Sequence, residues 1–199
     1  MKRILFVLSF TCLSAACFSQ TDTAVINDTK RFQEGLRTEY GTASTTPLSA
    51  KAKKTFKGIN FFPFSTNYVV TAKFVRTPNE KSFQMSTSGG IRKTYIKYAE
   101  VFFAIGGKPY KLGVYQSQDL IKSDDYKDYL FIPFTDATNG NETYEGGRYI
   151  DLNIPKGNTV VINFNKAYHP YCAYTDGYNC PIPPQENTLP VKIEAGVKF

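Results

Sequence analysis

The segment IRKTYIKYAEVFFAIGGKPYKLGVY, residues 91–115, decides the fold class because it has the pattern of a β-hairpin. Its first half, Ile91 to Ile105, is rich in β-branched and aromatic residues, which favour strands. This half is long for one strand, so we expect a bend or break near Tyr98–Ala99. Gly106-Gly107 predicts a two-residue turn, since both positions can take positive φ. The return strand from Tyr110 to Tyr115 alternates in polarity, which predicts one buried and one wet face.

Other short apolar segments lie between turn signals and predict further strands. We expect the one at 159–164 to run straight through the core and the one at 191–199 to close the sheet. The set comprises residues 68–75, 82–87, 129–134, 148–153, 159–164 and 191–199. With no internal repeat and no second domain visible, the sequence predicts a mainly β fold. We expect a single-domain antiparallel β-sandwich or partly open barrel with one or two short N-terminal helices.

Two segments near the N-terminus predict these helices. Asp22 or Thr23 can cap the first, whose thin apolar stripe ends at Tyr40, just before Gly41. Ser49 can cap a second, short helix in SAKAKKTF, residues 49–56. A thin apolar stripe predicts that the first helix lies against an edge or a face of the sheet.

Residues 1–19 have the pattern of a signal peptide. Lys2-Arg3 is the positive region, and a short apolar run from Ile4 to Ala16 follows it. Cleavage after Ser19 would leave residues 20–199 as one exported β-rich domain, periplasmic or extracellular. The alternative is a lipid anchor at Cys17, but Leu13 lies one place too far from this cysteine for the usual pattern.

Charge and composition limit the classes of partner. The chain has 199 residues, a net charge of +7 and 15% aromatic residues. Its lysines are scattered along strands and turns, so we expect a solvated basic surface and no nucleic-acid binding. Outside the leader no long apolar run occurs, which predicts no transmembrane segment. We expect no cofactor.

In an exported chain, the two cysteines outside the leader predict a disulfide between Cys172 and Cys180. Two alternatives stay open. His169 with both cysteines could bind a metal, although the H-x2-C-x7-C spacing lacks a paired knuckle and a fourth ligand. His169 with Cys172 could also form a nucleophile pair, which needs a free thiol. We expect the disulfide and no metal.

The glycine-flanked Arg148 is the first candidate site residue. Ile150 and Leu152 would share its face of the strand, so its guanidinium should be at least partly buried. A buried arginine needs a carboxylate partner or an anionic ligand. The candidate partners are Asp136, Glu142, Glu145 and Glu186. We expect an arginine–carboxylate pair that ties the loop at 139–147 to the loop at 172–180.

Residues 165–190 form a long segment without clear secondary structure, and such loops are often functional. It contains Tyr168, Tyr171, Tyr174 and Tyr178, which could stack on a sugar or form the loop's own small core. Arg148 and this loop together give the candidate site. Its residues are Arg148, Tyr144, Glu142, Asp136, Glu186, Tyr171 and His169.

Three motifs carry a resemblance to a known family. They are FTDATNGNETYEGGRYIDL at 134–152, NFNKAYHPYCAY at 163–174 and CPIPPQENTLPVKIEAG at 180–196. On them the chain resembles the bacterial domain of unknown function 1684, over nearly all of its length after the leader. It departs from the family pattern at His169, where Asn is usual, and at Val197, where Glu is common. The resemblance implies little about activity, because the family has no assigned function.

These observations predict an exported envelope protein that acts as a non-catalytic ligand-binding or structural β-domain. The ligand would be a small molecule or an envelope polysaccharide. The alternative is a hydrolase-like enzyme that uses acidic residues beside Arg148 in a loop-lined cleft. No acid–base motif is visible in the sequence, so we favour the binding domain.

Overall fold

The computed structural model describes residues 15–42 and 44–199. The charged start of the proposed leader and most of its apolar run therefore lie outside the described residues. Within them the chain forms two α-helices, α1 (Ala15–Gly41) and α2 (Ala50–Lys53), and a mainly β body. The strands are β1 (Asn60–Phe61), β2 (Val69–Arg76), β3 (Phe83–Ser86), β4 (Arg92–Ile105), β5 (Lys108–Ser117), β6 (Tyr129–Phe134), β7 (Arg148–Asn153), β8 (Thr159–Asn163) and β9 (Val197–Lys198).

Seven of these strands form one curled antiparallel sheet, a half-barrel, and this confirms the predicted fold class. The strand order is β7-β6-β5-β4-β2-β8, and β3 pairs with the first part of β4. β1 and β9 form a separate two-stranded sheet. The C-terminal segment therefore does not close the main sheet, as we had expected, but ends in this small second sheet.

The hairpin predicted from residues 91–115 is present as β4 and β5, and it lies at the centre of the sheet. Ile105 pairs with Lys108, and Gly106 and Gly107 take φ values of 56° and 74° in the turn. The register shifts between Lys97 and Ala99, which is where the sequence predicted a bend. A β-bulge at this point lets the long strand curve with the sheet.

Both faces of β5 are buried from Leu112 to Ser117, so the predicted wet face of this strand is wrong from Leu112 onward. On one face, Val114 and its neighbours pack into the main core with Phe134, Ile150 and Ile162. On the other face, Tyr115 is 1% exposed and packs against Phe131 in a second aromatic cluster. The sequence alternation is real, but the second face is covered by a cluster that includes Met85, Tyr95, Phe131 and Tyr149, so Tyr115 is buried as well.

β8 is an edge strand that pairs only with β2 among the described strands. Its residues alternate between exposed and buried, with Val161 exposed and Ile162 buried. The expectation that this segment crosses the core was therefore wrong. A run of apolar residues does not distinguish an edge strand from a central one.

Helix α1 already includes Ala15, so the predicted start near Asp22 or Thr23 is wrong. It packs beside the end of β8, where Asn163 Nδ2 donates to Thr29 Oγ1 at 2.8 Å and Lys166 Nζ pairs with Asp28 at 2.9 Å. Helix α2 has the predicted cap, because Ser49 Oγ accepts from the N–H of Ala52 at 3.1 Å. In the described part of the chain, neither helix combines the length and the apolar character needed to cross a membrane.

Candidate functional site

Arg148 is buried at the start of β7, with 0% side-chain exposure. Gly147 before it has φ 90°, and a Cβ there would lie 2.6 Å from the carbonyl oxygen of Phe134, so only glycine fits. The guanidinium donates to Asp136 Oδ2 at 2.6 Å. It also donates to the carbonyl oxygens of Ala195 at 2.5 Å and Ile193 at 2.8 Å. The predicted arginine–carboxylate pair is present.

The Arg148–Asp136 pair ties β7 to the C-terminal segment and not to the disulfide loop. The second oxygen of Asp136 accepts from the N–H and the hydroxyl of Thr138 and from the N–H of Ile193. Burial lowers the pKa of Arg148, and the charge of Asp136 opposes that shift. Neither side chain is exposed, so neither can contact a ligand that arrives from solvent.

The other predicted acidic residues do not gather beside Arg148. Glu142 Oε1 pairs with Lys192 at 2.5 Å, and Glu186 accepts from Tyr115 at 2.5 Å and from Lys97 at 2.8 Å. Glu186 therefore lies against the β4–β5 hairpin. Each of these carboxylates has its own basic or hydroxyl partner, so the structure does not assemble a cleft of acidic groups around the arginine.

His169 is a buried packing residue that links two loops. Its Nε2 accepts from the backbone N–H of Tyr144 at 3.1 Å, so in the neutral ring Nδ1 carries the proton and donates to the hydroxyl of Tyr174 at 2.9 Å. Burial, with a smaller contribution from the charge of Arg148, lowers the pKa of His169 to about 3. Both ring nitrogens are used within the protein.

Cys172 and Cys180 are bonded to each other, with their Sγ atoms 2.16 Å apart. A cysteine in a disulfide has no free thiol. The His169–Cys172 pair therefore has no nucleophile, and the three-ligand metal site has lost its two sulfur ligands. Among the described residues, no group of three or more His, Cys, Asp or Glu side chains is placed to hold a metal ion.

Two adjoining cavities lie on the side of the sheet that carries the aromatic cluster, and they share Tyr168 and Tyr171. The first has a volume of about 290 Å³ and the second about 210 Å³. We call the two together the tyrosine groove. The first cavity is lined by residues that include Lys93, Tyr149, Tyr168, Tyr171, Tyr178 and Pro181.

Fixed contacts hold the tyrosines of the groove in place. The rings of Tyr171 and Tyr178 lie 4.8 Å apart, and the Tyr178 hydroxyl donates to the carbonyl oxygen of Pro47 at 3.0 Å. The Tyr149 hydroxyl donates to the carbonyl oxygen of Pro181, next to the disulfide. Tyr174 does not line the groove itself but packs with Tyr40, Phe56 and His169 behind it.

Asp151 lines the second cavity and was missed in the sequence. Its Oδ1 accepts from the hydroxyls of Tyr129 and Tyr168, both at 2.8 Å. Asp151 reaches solvent within the cavity, but the groups packed around its carboxyl group partly desolvate it, and this raises its pKa. The two hydrogen bonds and the charge of Lys166 oppose that rise. The alternation of β7 could have indicated this position, because it places Asp151 on the same face as Tyr149, opposite the face of Arg148 and Ile150.

Two other cavities of the described residues are each larger than either cavity of the groove. One, of about 320 Å³, is lined by residues that include Lys57, Asn60 and Lys198, with Phe56 and Tyr174. The other, of about 430 Å³, lies on the other side of the disulfide and is lined in large part by small polar residues such as Ser88, Thr175 and Asp176. Pockets that bind organic ligands combine apolar or aromatic walls with a few placed polar groups. The tyrosine groove has that composition, so it is the candidate binding site.

Comparison with known proteins gives a family without an assigned activity. The sequence model of the family described as "Protein of unknown function (DUF1684)" matches residues 54–198. No curated protein matches the chain. A solution structure of an uncharacterized protein from Haloarcula marismortui is similar, with a TM-score of 0.71 and 26% sequence identity over 91% of this chain and 97% of that one. Helix α1 lies outside the region that matches the family.

Proposed function

The chain belongs to the DUF1684 family, which carries no assigned activity, and we propose that it is an exported, non-catalytic domain that binds an envelope glycan in the tyrosine groove. The observation that carries this proposal is the convergence of Tyr168, Tyr171 and Tyr178 on one open groove, next to the carboxyl group of Asp151. Tyr171 is 37% exposed, so its ring is available to a ligand.

The chemistry of the groove suits a sugar. A pyranose ring has a face of C–H groups that packs on an aromatic ring, and hydroxyl groups around its edge that need hydrogen-bond partners. Tyr171 and Tyr178 supply the rings, while Asp151 and Lys93 supply polar groups at opposite parts of the groove. The disulfide and the hydrogen bonds of the tyrosine hydroxyls hold the walls in place, so little conformational entropy is lost when a ligand binds.

A hydrolase is the second candidate, and one observation favours it. Asp151, whose pKa is raised, shares the smaller cavity with Glu39, and pairs of carboxyl groups catalyse glycoside hydrolysis. The acidic residues first considered for this role, Asp136, Glu142 and Glu186, do not lie in this groove. If the chain is such an enzyme, it will release reducing sugar from a bound glycan, and Asp151→Asn will abolish the release.

Export is part of the proposal, with residues 1–19 as the leader and a periplasmic or extracellular location. The Cys172–Cys180 bond supports it, because disulfides persist in oxidising compartments. Cleavage after Ser19 would shorten α1 but leave its groove residues Phe32 and Glu39 in the mature chain. Intact mass of the processed protein tests this: we expect a chain that begins at Gln20, whereas a lipid adduct on Cys17 would require a membrane-anchored form.

A glycan titration tests the binding function. Oligosaccharides from bacterial envelopes are titrated into the oxidised protein by calorimetry, with Tyr171→Ala as the groove variant. Loss of one stacked ring should weaken binding by roughly two- to tenfold. Phe102→Ala is the matched control, since Phe102 on β4 is 39% exposed and lies outside the groove. Equal effects of the two substitutions, or no binding of any glycan, would refute the proposal.

A further inference from the structure

The smaller cavity of the groove is an aromatic cage with acidic walls. Its rings come from helix α1 and from the loop after β8: Phe32 lies 6.2 Å from Tyr168, and Tyr40 lies 6.1 Å from Tyr171. Both pairs are tilted, with interplanar angles of 54° and 59°, so the ring faces surround the cavity at different angles. We call this cavity, of about 210 Å³, the acidic cage.

Two carboxyl groups line the acidic cage, and neither has a basic partner. Glu39 Oε1 accepts from the Tyr171 hydroxyl at 2.6 Å, and Asp151 Oδ1 accepts from the hydroxyls of Tyr129 and Tyr168. Over the residues that the structure describes, neither carboxyl group forms an ion pair and no lysine or arginine lines the cage.

Lys166 is a described cation whose charge acts on Asp151. Its Nζ is bonded to Asp28 at 2.9 Å and lies 5.4 Å from the centre of the Phe32 ring. The charge of Lys166 is thus shared with another carboxylate outside the cage. The chain has a net charge of +7, so a cavity with two carboxyl groups and no basic partner is an acidic site on a basic protein.

We infer that the acidic cage binds a protonated amine on the glycan, so that the protein selects sugars with a free amino group over their acetylated counterparts. This inference rests on the proposed function. An ammonium group is attracted to the faces of aromatic rings and to carboxylates, and the attraction grows when water is excluded. A neutral acetamido group makes neither interaction.

The position of the cage favours an amine carried by the sugar itself. Tyr168 and Tyr171 line both cavities, so a sugar stacked in the first cavity has its neighbouring ring or its substituents next to the second. Desolvation raises the pKa of Asp151, and a bound ammonium group would oppose that rise, because a nearby positive charge stabilises the carboxylate.

The test compares oligomers of glucosamine with oligomers of N-acetylglucosamine of the same length near neutral pH, by calorimetric titration. These two probes differ in the acetyl group and therefore in charge. We expect the wild-type protein to bind the glucosamine oligomer at least about fivefold more tightly. The preference should shrink as salt is added, because ions screen exposed charges.

Two variants remove the carboxylates one at a time, Asp151→Asn and Glu39→Gln. We expect each to weaken binding of the glucosamine oligomer by a larger factor than binding of the acetylated oligomer, so that the preference falls. Asp125→Asn is the control, since it removes the same charge from an exposed turn outside the cage. Thermal melting of each variant establishes that the fold is intact before the titrations are compared.

The outcomes separate the inference from the proposed function. If both oligomers bind equally and Tyr171→Ala weakens both, the groove binds glycans and the cationic selectivity is wrong. If the preference survives both Asp151→Asn and Glu39→Gln, the amine binds elsewhere and the inference is likewise wrong. If neither oligomer nor any other glycan binds, the proposed function fails together with the inference.

Discussion

Replacement of Arg148 by Met should destabilise the fold by roughly 3–5 kcal/mol, the usual cost of removing one partner of a buried ion pair. The side chain of Arg148 is wholly buried and bonds Asp136 and the carbonyl oxygens of Ala195 and Ile193. Met nearly fills the volume but donates no hydrogen bond. The substitution therefore removes this donor from Asp136 Oδ2 and from the carbonyl oxygens of Ala195 and Ile193.

The partner substitution Asp136→Asn should also be costly. Its Oδ1 still accepts from Thr138 and Ile193, but an amide NH2 group replaces the Oδ2 acceptor, and Arg148 is left as a buried cation without a carboxylate. In the double variant Arg148→Met with Asp136→Asn, the three bonds to Oδ1 are kept and no charge is left without a partner, so part of the loss should be recovered.

Urea unfolding of the oxidised protein, followed by circular dichroism, measures these differences. Arg76→Met is the matched control: Arg76 is exposed and stacks on the ring of Tyr98 at 3.4 Å, so its loss should cost about 1 kcal/mol or less. If Arg148→Met costs no more than Arg76→Met, the buried pair does not hold the C-terminal segment and the reasoning fails.

Three further predictions concern single groups. The pKa of His169 is about 3 in the folded protein and near 6.5 in the unfolded chain, so the free energy of unfolding should fall as the pH drops below 6.5. His169→Asn should remove this part of the acid sensitivity, as measured by urea unfolding at several pH values. Because folding raises the pKa of Asp151, its ionised form lowers stability at neutral pH. The Asp151→Asn variant should therefore have a melting temperature no lower than that of the wild type, and a clearly lower one would contradict this. Reduction of the bond between Cys172 and Cys180, which are 8 residues apart, should cost roughly 2–3 kcal/mol in urea unfolding. Neither of these two cysteines should react with an alkylating reagent before reduction.

Local patterns predicted the central part of the fold. Two glycines between two alternating strands specify a hairpin, and Ser49 before a lysine-rich segment specifies a helix cap, because each depends on a few neighbouring residues. The pairing of Arg148 with Asp136 was also foreseeable, since the strand pattern placed the arginine on the core face. These predictions needed only periodicity and the cost of burying a charge.

The order of the strands was not available from local patterns. Whether β8 lies at an edge or at the centre depends on which strands fold beside it, and these are distant in sequence. The second aromatic cluster could not be predicted for the same reason. The alternation of β5 alone predicts that Tyr115 faces solvent, but Phe131 and Tyr149, which belong to other strands, join it in a buried cluster.

The groove combines residues from helix α1, β7 and the disulfide loop, and no motif spans them. The tyrosines of the loop were recognised as a possible stacking surface, but Asp151 and Glu39 were not, because each is an ordinary acidic residue within its own element. Tyr129 and Tyr168 give Asp151 its unusual environment, and only the fold brings these hydroxyls together.

The central claim is that the tyrosine groove binds a glycan, and a structure of the complex, or backbone and side-chain shift mapping by NMR with a glucosamine oligomer, tests it most directly. We expect the sugar to contact Tyr168, Tyr171 and Tyr178, with its amino group next to Asp151. Shifts confined to the polar cavity around Ser88 and Asp176, or no shifts at ligand saturation, would contradict it.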